Sequence, residues 1–210
     1  MQAIGFNEHY GLQTAVFNRT KTMTRRAEKG FENLEEGNFC FQKERNQVVI
    51  YGEKGTPIEI IKLRYKIGEI VAVRQSYSEI ADNPYFINQL AANGKSVVEM
   101  KNEAGWNNKM FVAAYYMTRH IKITDTKVER LQDCSDDDIL KEGIIRRDDC
   151  INNIMENIPV YTFKNSFVNH IYKTYHTPRQ AFARLIDKVS GKGTWDRNQF
   201  VPAYTFELID

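Results

Sequence analysis

An α+β protein built on a small, partly closed β-barrel, with flanking helices and inserted loops, is the fold class that this sequence predicts. Three observations carry it. Short β-branched and aromatic runs recur at 58–63, 67–73, 120–131 and 200–209. Helix signatures are few, at 7–17, 135–142 and 177–190. Long charged or loop-rich passages near 27–62, 80–110 and 145–175 separate them and read as insertions in a single domain spanning 1–210.

Taken in order, residues 1–6 are mostly apolar and read as an opening strand. Asn7 is placed to cap a helix through about Phe17, with Tyr10, Leu12, Val16 and Phe17 available to the core. The polar run Lys21-Thr22-Met23-Thr24-Arg25-Arg26 follows. Residues 27–55 are charged and irregular, with a hairpin predicted in CFQKERNQVVIYG, and read as an insertion or mobile flap.

Two strands are predicted at 58–63 and 67–73, with Gly68-Glu69 as a turn signal. Residues 80–108 are loop-rich (ADNP, ANGK, GWNNK) and read as a lid; 111–116 and 120–131 read as strands. Ser135 followed by three aspartates is an N-cap with acids where the helix dipole favours them, and Gly143 suits the residue past the helix end. After an ambiguous, aromatic-rich passage at 145–175, Thr177-Pro178 opens the clearest helix. Ala181, Phe182, Leu185 and Ile186 share one face, and Gly191 stands after it.

Composition narrows the function. The chain of 210 residues is 42% hydrophobic and carries a net charge of +2, so it has material for a core but no basic coat; any nucleic-acid contact must be a local patch. Cys40, Cys134 and Cys150 lack CxxC spacing and read as reduced thiols, not as a disulfide framework or zinc site. His9, His120, His170 and His176 lack metal-ligand spacing, so neither a metal nor a cofactor is expected. MQAIGFNEHYGLQ has no cationic start with an apolar run behind it, and no apolar stretch is long enough for a bilayer. A cytoplasmic protein without membrane contact is the expectation.

The run at 21–26 places an amine, two hydroxyls and two guanidiniums side by side. Lys21 becomes a base or nucleophile only if burial or a neighbouring cation lowers its pKa, and Arg25 and Arg26 supply that field. Thr24 offers a hydroxyl that needs an adjacent base. On a continuous strand Lys21 and Thr24 point to opposite faces, so they converge only if Lys21 precedes the strand. Glu142, at the end of the acidic helix, is the candidate carboxylate; the helix dipole disfavours its charge, although a solvated glutamate there is commonplace. Arg74 ends a strand, where it meets an anion or pairs with an acid. Trp106 sits in a glycine- and asparagine-rich loop, as a base-stacking ring or an aromatic plug.

Four stretches resemble the ASCH domain family, whose fold is like the PUA domain of RNA-modification proteins. They are KTMTRR at 21–26, YKIGEIVAVRQSY at 65–77, VERLQDCSDDDILKEGI at 128–144 and GTWDRNQFVPAYTFEL at 193–208. The likeness is greatest to the longer, phage- and prophage-associated members. It implies a pocket for a nucleoside or RNA-like ligand. In some members it implies hydrolysis of the amide of N4-acetylated cytidine, with Thr24 as nucleophile, Lys21 as its base, Glu142 as proton shuttle and Arg26 on the ligand. Arg19 stands where the family usually has glycine, which implies an altered turn before Lys21. Two other classes compete. A non-catalytic nucleic-acid module would hold phosphates with Lys21, Arg25, Arg26 and Arg74; a phage accessory protein would act through a protein partner.

Overall fold

The computed structural model describes residues 1–148, 159–164, 167–168 and 171–210. Its strands are β1 (Ala3–Ile4), β2 (Met23–Arg25), β3 (Phe39–Gln42), β4 (Gln47–Tyr51), β5 (Pro57–Lys62), β6 (Ile70–Val73), β7 (His120–Arg130), β8 (Ile145–Arg147), β9 (Val160–Thr162), β10 (Phe167–Val168), β11 (Ile171–Tyr172) and β12 (Phe200–Leu208). The α-helices are α1 (Leu12–Phe17), α2 (Tyr77–Ile80), α3 (Pro84–Ala92), α4 (Val97–Met100), α5 (Asp136–Lys141), α6 (Pro178–Ser190) and α7 (Thr194–Arg197). Cys150 and His170 lie outside the described residues.

The predicted barrel does not form. The central sheet is open, in the order β1-β6-β7-β12-β2, and the three-stranded β3-β4-β5 and two-stranded β8-β9 and β10-β11 sheets are separate. A barrel must pair its first and last strands. Here those edges are β1 and β2, two and three residues long, and they do not pair with each other. The Arg26 guanidinium spans the gap instead, donating to the Gly5 carbonyl at 2.7 Å. Strand alternation cannot foretell this, because an open sheet covered by helices has the same period as a closed one.

The sheet is packed on both faces. Ile4, Val71, Val73, Ile121 and Ile123 face the main core, together with Phe182 and Leu185 from α6. On the other face Ala3 pairs in register with Ala72, and these small side chains let Tyr77, Ile80, Phe86, Leu90, Met100 and Tyr116 pack as a second cluster. The lid predicted at 80–108 is therefore a helical layer with its own core, opened by capping boxes at Ser76 and Ser96 and a proline-led turn at Pro84. The strand predicted at 111–116 is also corrected: Lys109–Phe111 and Ala114–Tyr116 are 3-10 turns that carry Val112 and Tyr116 into this layer.

The flap predicted at 27–55 is corrected as well: its Phe31, Leu34, Val48 and Ile50 are buried in the main core, where Ile61 of β5 joins them. Near the N-terminus Gly11, at φ 71°, divides the predicted helix; Asn7 caps a 3-10 turn at Glu8–Tyr10, and α1 follows. Among the described residues, no helix is long and apolar enough to cross a membrane.

Candidate active site

The site grows from the junction of β2 with the end of α5. Ser135 caps α5 by accepting from the Asp138 amide at 3.2 Å, and the turn after Glu142 closes through Gly143 at φ 96°, a conformation that glycine adopts without strain. A Cβ on Gly143 would lie 3.2 Å from Leu12 Cδ2, a tight approach, and 3.6 Å from Lys21 Cδ, an ordinary contact. The Thr22 amide donates to the Lys141 carbonyl at 2.9 Å, fixing the 21–26 run against the helix end.

Lys21 lies two residues before β2. That is the placement in which it and Thr24, inside the strand, reach one cavity. Its ammonium is 2% exposed and donates to Met23 O at 2.8 Å, Glu142 O at 2.7 Å and Glu142 Oε2 at 2.7 Å. All three donors are spent, and one caps the helix carbonyl where a cation is favoured. Burial pulls the Lys21 pKa below the ordinary lysine value, more than the Glu142 carboxylate restores it; Arg26 and Arg25 add to the fall.

Arg25 faces the opposite carboxylate oxygen, with Nη1 2.9 Å from Glu142 Oε1. Sheet register explains its other contacts. Arg25 pairs with Ala203, which pairs with Lys127, and the small alanine leaves room for Arg25 to reach Glu129 Oε1 at 3.0 Å. Asp138 Oδ2 lies 3.5 Å away. Lys127 completes the cluster at 2.6 Å from Asp138 and 2.9 Å from Glu129. Burial lowers the Arg25 pKa, but Glu142 and Glu129 outweigh it and hold the guanidinium above its ordinary value.

Arg26 differs. It donates to the Gly5 carbonyl and lies over the Phe6 ring at 5.3 Å, a ring that Lys21 also approaches at 5.8 Å. Its Nε is buried without a partner, and it has no carboxylate partner among the described residues. Thr24 is buried, and its hydroxyl makes no hydrogen bond among the described residues.

These groups line a cavity of about 340 Å3 along the open edge of β2, a size suited to a small ligand. One wall is polar: Lys21, Thr24, Arg25, Arg26 and Glu142. The other is apolar: Phe182, Leu185, Ile186 and Val189 at helical spacing on α6, with Phe6 at the end. A cavity of about 800 Å3 beside Tyr10, Gly11 and Phe163 has Arg147 and Lys164 as the charged residues of its lining.

Two candidates stand apart from the cavity. Trp106 packs on the second cluster with Lys101 over its ring at 6.0 Å. Arg74 donates weakly to the carbonyls of Lys109 and Met110, at 3.5 and 3.4 Å, and meets no acid there. Sequence reasoning missed Phe6, Glu129, Asp138 and Lys127. The alternating KVE of β7 was a usable signal for the last partners, since Lys127 and Glu129 share a face; nothing marked Phe6.

Arg19 adopts φ 61°. It takes the left-handed turn that glycine would favour, so the change of residue leaves this turn in place before Lys21. No family model, curated protein or solved structure matches this chain.

Proposed function

We propose that the cavity takes a nucleoside-like ligand and that Thr24 attacks an amide on it, the acyl group of an N4-acylated cytidine being the favoured target. One observation carries this reading: Lys21, Thr24 and Glu142 line one small cavity, which the Thr24 hydroxyl, unbonded among the described residues, shares with a buried amine whose pKa burial lowers. The resemblance to ASCH proteins supports it through motif positions and no longer through a barrel. An apolar α6 wall opposite a polar β2 wall suits a flat heterocycle with a hydrogen-bonding edge.

The resting geometry sets an order of events. With all three Lys21 donors spent, the amine has no lone pair to offer, so a proton first passes from Lys21 Nζ to Glu142 Oε2 across 2.7 Å. Neutral Lys21 then takes the hydroxyl proton as Thr24 Oγ adds to the carbonyl carbon, and Arg26 faces the developing oxyanion. Collapse breaks the C–N bond, the leaving amine takes the proton from Lys21, and water hydrolyses the threonine ester by the same route.

Acetate release from N4-acetylcytidine tests the reading. Wild type turns over; Thr24→Val, which leaves every ion pair intact, loses at least about 100-fold, as general-base and nucleophile losses typically do. No release by wild type across a panel of acylated nucleosides would end it. A second reading, a non-catalytic nucleic-acid module, draws on the completeness of the Lys21–Glu142–Arg25 network. It expects ligand binding that is indifferent to Thr24→Val.

A further inference from the structure

The outward side of α6 carries a feature that the cavity does not use. Arg184 and Lys188 are exposed along it and Lys192 is exposed just past its end, with Lys173 beside them. They line two adjoining surface grooves of about 500 and 520 Å3, with Tyr175 and Trp195 in the walls. None of the four cations has an ion pair among the described residues; Lys188 leans over the Tyr10 ring at 5.8 Å. Of the two acids there, Asp187 accepts from the Trp195 amide at 3.0 Å; that bond foremost, with those from Gly193 and Thr194 and the charge of nearby Arg184, outweighs burial and holds its pKa below the ordinary value. Asp196 is the other.

The groove lies on a different side of α6 from the candidate active site but at the same end: Val189 and Ser190 line the cavity, while Lys188 and Lys192, their neighbours in the chain, line the groove. Arg184 and Lys188 stand one turn apart, about 6 Å along the axis. Unpaired, solvated cations in a row gain affinity for a polyanion by releasing its counterions, and aromatic edges add base stacking.

We propose that this groove holds the phosphate backbone of a single-stranded nucleic acid whose base enters the cavity, so that the substrate is a nucleotide within a strand. The base half rests on the reading of the cavity above; the phosphate half rests on the groove alone. A strand is favoured over an anionic membrane because the cations line concave grooves whose walls hold the aromatic rings of Tyr175 and Trp195.

Binding of a fluorescein-labelled oligouridylate, followed by anisotropy against salt, tests it. Each phosphate contact contributes about 0.7 to the slope of log affinity against log salt, so replacing Arg184, Lys188 and Lys192 by alanine lowers the slope by about 2. At about 50 mM salt the same three contacts are worth about 20-fold more affinity than at 200 mM. The single variant Lys188→Glu weakens binding in the same direction. The triple variant keeps wild-type turnover of free N4-acetylcytidine, and Thr24→Val keeps wild-type strand binding. An unchanged slope in the triple variant, no binding by wild type, or tighter retention on phosphatidylserine vesicles than on the oligonucleotide overturns the groove. Strand binding with no turnover by wild type sinks the hydrolase reading instead.

Discussion

Arg25 and Arg26 are neighbours in the chain and opposites in their surroundings. Arg25 meets the carboxylates of Glu142, Glu129 and Asp138, and with Lys21 and Lys127 it ties α5 to β2 and β7. Arg26 meets a carbonyl and a ring and leaves Nε buried without a partner among the described residues. The first network is complete in itself and fixes geometry. The second guanidinium is under-satisfied next to a cavity, which is where a ligand's polar edge would complete it.

The comparison breaks most visibly in stability. Glu142→Ala leaves Lys21 and Arg25 facing each other without their shared carboxylate, and denaturant unfolding is expected to register a loss of about 3–5 kcal/mol. Arg26→Met removes a cation that has no carboxylate within ion-pair distance among the described residues and feels Glu142 and Glu28 only from further off, so its cost is expected to stay within about 1 kcal/mol, while ligand affinity falls at least tenfold. Equal destabilisation by the two variants would erase the distinction.

Gly143→Ala comes next. Its left-handed backbone and the 3.2 Å approach to Leu12 predict a loss of about 1–2 kcal/mol, accompanied by slower turnover because Lys21 packs against the same turn. Wild-type stability and turnover in that variant would mean that the helix end does not position Lys21.

The network also has a pH signature. Burial raises the Asp138 pKa, but Lys127 foremost, with Lys141 and Arg25, outweighs it and holds the group below its ordinary value of 3.8. Asp138 therefore stabilises the fold fully above that value and ceases to do so as pH falls through its lower folded value. Carbon NMR titration is expected to place the Asp138 midpoint below 3.8 in wild type and higher in Lys127→Met; identical midpoints would remove Lys127 from the network.

The smallest effect is expected at Arg19. Arg19→Gly relieves a left-handed non-glycine residue but loses the 2.8 Å bond to the Leu208 carbonyl, two effects of about 1 kcal/mol each that nearly offset. Thermal unfolding and turnover should both stay near wild type, and a large loss in either would show that the side chain has a further role.

What could be read from residues alone follows from the range of the physics involved. Helix α6 was legible because its cap, its N1 proline and its apolar stripe are local signals, and α5 because Ser135 and Gly143 mark its ends. The barrel was not, since closure depends on whether two very short edge strands meet, and no period encodes that. The stretch 80–108 was misread as a lid, and 111–116 as a strand, because capping boxes only four residues ahead of a helix end look like loop text, and the core of this layer forms against Ala3 and Ala72 from distant strands. In the candidate site, the density of donors at 21–26 and the helix-end Glu142 were visible. Glu129 and Asp138 as Arg25's partners were not, because Ala203 opens that path only through the register of three strands.

The most direct measurement is mass spectrometry of protein quenched during turnover of N4-acetylcytidine. An attack by the Thr24 hydroxyl predicts an acetyl group on the peptide carrying Thr24, absent in Thr24→Val. An acetyl group on Lys21, or turnover with no acylated protein at any quench time, would contradict it.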